Sequence, residues 1–411
     1  MEDFITISNP SKKICGTVEL PGSKSESNRA LIIDALTHKR CNIHNLSTSS
    51  DTKILQQALE SKETEINVGD AGTAMRFLIA YFAGNGQDKI LTGSNRMLER
   101  PVGPLVDALI ELGADISYCN KHGFPPVKIN GSLSLFNKKR VKIPGNISSQ
   151  FISALLMIAP TLPSGLEIEI EGKISSRPYV EMTRQIMFHF GVESKWVENV
   201  ITIEHQNYNP KDFNIESDWS SASYWYAIAA SADDPAIFLK GLQRQSFQGD
   251  SVLKEWFTSL GISTEFSDTG AFITKGIEKP SGLPVIIDFT EHPDLAQTFI
   301  VYCAANGLKH KFTGLESLRI KETDRILALQ NELKKFGVLF TEESPGIFSL
   351  ISEFDKNTNP FVETYNDHRM AMAFAQLSLY CKEVTIKNPS CTNKSYLSFW
   401  NDCKLCGFKI S

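Results

Sequence analysis

The chain has no basic excess. Its 42 Lys and Arg stand against 47 Asp and Glu over 411 residues, a formal net charge of −5. That balance argues against a general nucleic-acid or membrane-surface binder, which carries surplus positive charge, so any anion site must be local. Long apolar runs are missing too: none approaches the roughly 18 residues of a membrane span. The opening MEDFITISNPSKK has neither the basic n-region nor the apolar h-region of a secretory leader, and the expected location is the cytoplasm. The eight cysteines, Cys15, Cys41, Cys119, Cys303, Cys381, Cys391, Cys403 and Cys406, form no framework, which suggests a reducing compartment. Only Cys403 and Cys406 approach a metal-ligand spacing, and no second pair completes a zinc site.

Two further absences bear on chemistry. GSKS, Gly22–Ser25, is not a nucleotide-binding P-loop, because Ser23 separates Gly22 from Lys24 and the rest of that pattern is missing. No Ser or Cys stands in a recognisable nucleophile motif, and no two segments gather metal ligands. Electrostatic and acid/base catalysis is therefore favoured over covalent or metal catalysis.

What the chain does have is a repeated helix pattern. Six apolar or small-residue stretches open on polar residues: SNRALIIDAL from Ser27, AGTAMRFLIAYFAG from Ala71, SSQFISALLMIAP from Ser148, SSASYWYAIAAS from Ser220, DLAQTFIVYCAANG from Asp294 and DHRMAMAFAQLSLY from Asp367. After the first, the starts recur roughly every 70 to 80 residues, a period suited to a strand-and-helix unit rather than a solenoid repeat. A second, more amphipathic set interleaves with them and ends in Gly: VGPLVDALIELGADI, YVEMTRQIMFHFGVES, DSVLKEWFTSLGIST, RILALQNELKKFGVLF and YLSFWNDCKLCGFKI. Helices apolar all round must be covered by other elements, so each group of three repeats is expected to form one layered α/β domain. The length fits two domains.

The openings carry cap-type residues, Ser27, Thr73, Ser148, Ser149, Ser220, Ser221, Asp294 and Asp367, and capping is the ordinary role for each. Several also carry a cation, Arg29, Arg76 or Arg369. Bare N–H groups beside a guanidinium make a strong anion site. Leu318–Arg325, LRIKETDR, likewise gathers Arg319, Lys321 and Arg325 around a helix start, where the macrodipole disfavours cations unless anions join them.

The candidate chemistry lies in a few segments. LPGSKSESNRA places Lys24, Ser25 and Arg29 after a Pro-Gly turn, suited to gripping a dianion. VGDAGTAMRFL offers a small Ala71-Gly72-Thr73 opening that lets a ligand approach the backbone. Arg96 and Arg100 flank a short segment before Pro101, consistent with a mobile arginine-bearing loop. Ser148, Ser149, Gln150, Ser176 and Tyr179 are neutral groups suited to hydroxyls and phosphate oxygens. Asp294 is a cap or a general base. Lys321, Glu322, Arg325, Asp367, His368, Arg369 and Lys394 complete the set.

Together PGSKSESNRA, GDAGTAMRFL, RPVGPLVDAL, GNISSQFISALL, LRIKETDR and YNDHRMAMAF resemble, in this order, the signature segments of the 5-enolpyruvylshikimate-3-phosphate synthase family, from about Pro21 to Lys394. The resemblance implies two similar domains, each three βαβαββ units in pseudo-threefold arrangement, an inside-out α/β barrel. The chain would cross between them near Leu20 to Gly22 and near Asp218, giving residues 1–20 plus 219–411 as one domain and 21–218 as the other. The active site would lie in the cleft between domains that close on binding.

The implied reaction moves the enolpyruvyl group of phosphoenolpyruvate to the 5-hydroxyl of 3-phosphoshikimate, releasing phosphate on the way to chorismate, with no metal or organic cofactor. The small-molecule substrates would be the only partners, and the protein a monomer. By the resemblance, Lys24, Ser25, Arg29, Ser148, Ser149, Gln150, Ser176, Asp294, Ser317 and Lys321 hold 3-phosphoshikimate. Lys24, Gly72, Arg100, Gln150, Arg325, Arg369 and Lys394 hold phosphoenolpyruvate. Asp294 would take the hydroxyl proton and Glu322 deliver one to C3, with Lys24 a second proton carrier.

The chain departs from the family pattern at Ser317, where an Asn is expected, at Asp70, where many members have Asn, and at Phe77, where many have Pro. The Gly72 motif matches the glyphosate-sensitive form. The rival readings are the sister enolpyruvyl transferase acting on UDP-N-acetylglucosamine, whose mobile-loop Cys has no counterpart in SNRMLERPVG, and a non-catalytic binding protein of the same fold.

Overall fold

The computed structural model describes residues 3–37, 39–131, 136, 138–276 and 282–411. The chain divides into two compact units, Met1–Gly22 with Glu216–Ser411, and Ser23–Ile215. The expected boundaries, after Leu20 and after Asp218, lie two and three residues from these. The reason is local pairing of the two crossover strands. Gly22 bridges Ser217 antiparallel, the Asp218 N–H donates to the Pro21 carbonyl at 2.9 Å, and Ser217 Oγ donates to the Leu20 carbonyl at 3.4 Å.

The first unit holds three four-stranded sheets among the described residues. In one, Ile286–Asp288 and Lys311–Thr313 run parallel across the helix Ala296–Ala305, and the hairpin Leu339–Ser344/Ile347–Ile351 completes the sheet after the helix Arg325–Lys334. That is one βαβαββ unit. A second sheet pairs Lys13–Glu19 parallel with Asp234–Lys240, and the third takes Phe4–Ser8 as its antiparallel partner for Val384–Lys387. Strands from the start of the chain thus complete sheets built from its second half.

The second unit repeats the pattern in Glu65–Asn67/Lys89–Thr92/Val127–Asn130/Asp115–Tyr118 and in Arg140–Pro144/Leu166–Glu171/Val200–Ile203/Lys195–Val197. Its third repeat is reduced, among the described residues, to the parallel pair Ile43–His44 and Phe213–Asn214. The chain enters and leaves this unit at that repeat, and the flanking residues are spent on the crossover.

Each unit has its own apolar core. The helix Gly72–Gly84 is buried at every position except Thr73, and Ser149–Ile158, Trp219–Ser231, Ala296–Ala305 and His368–Ala375 are buried along nearly their whole length. These are the apolar stretches read from the sequence; each fully buried Leu, Ile or Phe among them contributes about 1.5–3 kcal/mol. The amphipathic helices cover the outside. Gly103–Leu112 ends on Gly113 at φ 111, and the turn after Arg325–Lys334 ends on Gly337 at φ 81, left-handed positions that favour glycine.

Four helix starts differ from expectation. The first buried helix begins at Lys24, capped by Ser23, whose Oγ accepts from the Glu26 N–H at 3.4 Å, so Ser27 lies inside it. Thr73 is not a cap, since Ala71 holds that position, and Asp218 rather than Ser220 or Ser221 caps Trp219–Ser231. Asp294 sits in the short 3-10 turn Pro293–Leu295 with no capping bond. Its carboxylate is engaged elsewhere. No helix among the described residues is long and apolar enough to cross a membrane.

Candidate functional site

In the first unit the cations at the helix starts meet carboxylates. Arg325 is the first residue of its helix, behind the N-cap Asp324, whose Oδ1 accepts from the Ile326 and Leu327 N–H groups at 3.1 Å. Its side chain is 2% exposed, and its guanidinium reaches three acids: Nε donates to Asp367 Oδ2 at 2.7 Å, Nη2 to Glu322 Oε2 at 2.8 Å, and Nη1 stands 3.5 Å from Asp294 Oδ1. Burial alone would lower its pKa, but the fields of Asp367 and Glu322 outweigh burial and hold it above the ordinary arginine value.

Arg369, second in its helix, pairs with Asp294 Oδ2 at 2.8 Å and donates to the Asp294 carbonyl at 3.0 Å and to Tyr224 Oη at 3.4 Å. Lys394 Nζ lies 3.5 Å from Glu322 Oε1. Asp367 caps His368–Ala375 through the Arg369 N–H at 2.9 Å while its other oxygen holds Arg325. The macrodipole penalty on these cations is thus offset by three acids packed among them. Glu322 and Asp294, the two groups with acid/base roles in the expected chemistry, each touch two cations.

Asp250 lies beside this cluster. It is 3% exposed and accepts from Ser220 Oγ, and its Oδ1 is 3.9 Å from His292 Nδ1. Burial, and then the charge of Asp294, push its carboxyl up to about 7. Burial pushes His292 down to about 4, so the imidazole is neutral near pH 7 and does not neutralise Asp250. Lys321 and Ser317 occupy the half-buried turn leading to Arg325. Arg319 turns outward to Glu342 at 3.1 Å and Asp324 at 3.7 Å, an exposed network.

In the second unit Lys24 is the first residue of its helix, and its Nζ stands 3.2 Å from Asp51 Oδ2. Arg29 is buried and commits N–H groups to Thr183 Oγ1 at 2.7 Å, the Ser25 carbonyl at 2.8 Å, Ser153 Oγ at 3.1 Å and the Tyr179 carbonyl at 3.2 Å. Its guanidinium also lies 5.5 Å from the ring centre of Phe77, one of the departures from the family pattern. Burial lowers Arg29 to about 10, still charged at neutral pH.

Arg76 serves the fold, donating to the Gly72 carbonyl at 2.9 Å and the Pro101 carbonyl at 3.0 Å. Arg100 is 6% exposed and lies against Gly72: a Cβ there would be 2.6 Å from both terminal nitrogens. It also donates to the Asp70 carbonyl at 3.3 Å, so it is packed in place rather than carried on a free arm. Gln150 Nε2 reaches Thr73 Oγ1 at 3.1 Å, and Ser148 caps the helix through the Gln150 N–H at 3.3 Å. Ser176 precedes its helix at φ 58 with no capping bond, a strained setting for a non-glycine residue.

Three residues at these clusters were not candidates from the sequence. Asp51 and Asp250 lie in helix-opening segments of ordinary composition, and Tyr224 sits inside an apolar run, so none carried a local signal. Asp367 stood in a singled-out segment but reads locally as a cap; its second partner is 42 residues away. Among the described residues no group of three or more His, Cys, Asp or Glu could hold a metal ion.

The family model of EPSP synthase (3-phosphoshikimate 1-carboxyvinyltransferase) matches residues 8–61 and 54–403. A 3-phosphoshikimate 1-carboxyvinyltransferase of Bacteroides fragilis (strain YCH46) is 45% identical over 406 residues, 98% of each chain. One of Vibrio campbellii is 35% identical over 424 aligned positions, covering 96% of this chain and 97% of that one. The solved EPSP synthase of Acinetobacter baumannii superposes with a TM-score of 0.77 at 20% identity over 100% of both chains, a likeness of fold. On the match across nearly its whole length, the chain belongs to the EPSP synthase family.

Proposed function

We propose that the chain transfers the enolpyruvyl group of phosphoenolpyruvate to the 5-hydroxyl of 3-phosphoshikimate, releasing inorganic phosphate, in the route to chorismate and the aromatic amino acids. The observation that carries this reading is the cluster in which Arg325, Arg369 and Lys394 hold Asp294 and Glu322. It offers three cations for an anionic donor and two carboxylates for proton traffic.

The ion pairs explain how the same groups serve both purposes. A carboxylate flanked by cations holds a proton weakly, and is a poor base and a poor acid source. When the phosphate and carboxylate of phosphoenolpyruvate engage Arg325, Arg369 and Lys394, these cations are shared with the substrate, and the proton affinities of Asp294 and Glu322 rise. Asp294 then takes the proton of the 5-hydroxyl as its oxygen bonds to C2, and Glu322 delivers a proton to C3. The tetrahedral adduct next loses phosphate as the C2–O bond breaks and C3 returns its proton, restoring the enol ether. Arg100, Arg325, Arg369 and Lys394 stabilise the charge that builds on the departing phosphate.

The reading gives a role to residues of each unit. Ser25, Arg29, Ser148, Ser149, Gln150, Ser176, Ser317 and Lys321 hold the acceptor, with Asp294 at its hydroxyl. Gly72 leaves Arg100 room at the donor beside Gln150 of the same reading, and Lys24, released from Asp51, serves as a second proton carrier. The protein acts as a cytoplasmic monomer on these small molecules, and its net charge of −5 disfavours nucleic-acid and anionic-membrane partners. The test is phosphate release from phosphoenolpyruvate with 3-phosphoshikimate, set against UDP-N-acetylglucosamine as acceptor. Release with the first alone is expected; release only with the second, or with neither, rejects the reading.

A further inference from the structure

Tyr365 and Asn366 open the segment YNDHRMAMAF and have no part in the reaction proposed above. Their backbone is unusual. Both stand at positive φ, 54 and 56, and the Asp367 N–H closes the turn on the Thr364 carbonyl at 2.9 Å. Two central residues at positive φ are the pattern of a type I′ turn, which Gly, Asn and Asp dominate; it suits Asn366 but not an aromatic residue. A tyrosine there is strained, and such strain persists only where the surroundings hold it.

The restraint comes from the helix Arg325–Lys334. Glu332 on that helix is 0% exposed and turns both carboxylate oxygens to the segment before Asp367. Its Oε1 accepts from Tyr365 Oη at 2.8 Å and its Oε2 from the Glu363 N–H at 2.9 Å, with Lys335 Nζ at 2.7 Å as counter-charge. Glu332 stands two helical turns beyond Arg325, about 10 Å along one face. Residues 363–367 therefore lie along that face, gripped at one end by Glu332 and at the other by Arg325, whose Nε donates to Asp367 Oδ2 at 2.7 Å. Asn366 Oδ1 accepts from Asn388 Nδ2, and Asn388, itself at φ 48, opens the 3-10 turn Pro389–Lys394 that ends on Lys394. We infer that Tyr365 and Glu332 are positioning residues for Arg325 and Arg369. Their hydrogen bond holds the turn at positive φ, and the turn places Asp367, which grips Arg325 and caps the helix that carries Arg369.

The inference rests on the reading above, in which Arg325 and Arg369 hold phosphoenolpyruvate, and two replacements of Tyr365 in the full chain test it. Tyr365→Phe keeps the ring but leaves an aromatic residue at positive φ without its restraint. Tyr365→Asn loses ring and hydroxyl but takes that backbone readily. A role in holding the backbone makes Phe the worse replacement; a role in packing alone makes it the milder one. Hydrogen–deuterium exchange over residues 363–370, measured without substrates, should be at least about fivefold faster than wild type in Tyr365→Phe and close to wild type in Tyr365→Asn. In steady state Tyr365→Phe should raise KM for phosphoenolpyruvate at least about fivefold, while kcat and KM for 3-phosphoshikimate stay within about twofold, because saturating donor recovers the arginine geometry. Tyr365→Asn should keep all three within about twofold. Glu332→Gln leaves one acceptor oxygen for three donors and should follow Tyr365→Phe, so it serves if that variant folds poorly. Unchanged exchange in a folded Tyr365→Phe, or a Tyr365→Asn worse than Tyr365→Phe in either measurement, overturns the inference. So does exchange that follows the expected order while KM for phosphoenolpyruvate stays put in an enzyme that releases phosphate. Exchange in the expected order with no phosphate release by wild type leaves the clamp standing and rejects the transferase reading instead.

Discussion

Arg325 Nε stands 2.7 Å from Asp367 Oδ2, with side chains 2% and 0% exposed. A charge pair so far from solvent is weak evidence of net stability, but breaking it from one side strands the other charge. Asp367→Asn isolates that effect, because Asn caps a helix nearly as well as Asp and the Arg369 N–H keeps its acceptor. The variant should lose about 3–5 kcal/mol in urea unfolding. Glu322 and Asp294 remain beside Arg325, so the lower end is expected, and a loss under about 1 kcal/mol would show that they compensate fully.

Glu322 and Asp294 are more accessible than the arginines they hold, at 13% and 22%. Replacing either by its amide preserves shape but removes the charge, the ability to carry a proton at working pH and, since an amide has one acceptor oxygen, one of its two cation contacts. Glu322→Gln and Asp294→Asn should each fold and lose at least about two orders of magnitude in kcat, the usual span of one acid/base group. Steady-state kinetics with both substrates checks this, and near-normal turnover in either variant would remove that residue from its role.

How much of this was legible in the sequence depends on the range of the interaction. The six buried helices were readable because all-round apolarity is a local property. Their starts were less so: Lys24 opens the first helix three residues before Ser27, because the cap is Ser23 and the intervening residues carry no apolar signal. KETDR marked Lys321, Glu322 and Arg325 as a chemical segment, and its Glu322–Arg325 contact is a helix-spaced pair. The partners across the fold were not legible. Arg29 meets Thr183 across 154 positions and Arg325 meets Asp367 across 42; only the tertiary packing of each unit brings them together. Asp250 was least visible, since its significance comes from burial and from a neighbour on another turn.

Gly72 has no side chain to hold Arg100 away, and the guanidinium fills the space. An Ala Cβ there would overlap the Arg100 terminal nitrogens at 2.6 Å, but these end a flexible side chain and can move. The Gly72 backbone is also compatible with Ala, in the first turn of a helix. Gly72→Ala should therefore fold with little change in Tm and displace Arg100. If Arg100 binds the donor, KM for phosphoenolpyruvate rises about tenfold, equivalent to about 1.4 kcal/mol, while KM for 3-phosphoshikimate moves little. Equal rises in both constants would place the damage elsewhere.

Asp250 and His292 give opposite slopes to stability against pH. Asp250 is raised from its ordinary 3.8 to about 7, so the folded state binds its proton more tightly than the unfolded state. Its stabilising effect is complete below 3.8 and is lost as pH rises towards 7, by up to about 4 kcal/mol. His292 is lowered from 6.5 to about 4, and its contribution is present above 6.5 and lost as pH falls towards 4, by up to about 3 kcal/mol. Between pH 4 and 6.5 the two partly cancel. Asp250→Asn removes the first and leaves the second, so the stability of the variant relative to wild type should climb from pH 4 to about 7 and level off above it. Urea unfolding of both proteins at several pH values measures that difference, with the other titrating groups common to both. A difference flat with pH would mean that Asp250 is ionised throughout, already neutralised by Arg369, and that the burial cost assigned to it is wrong.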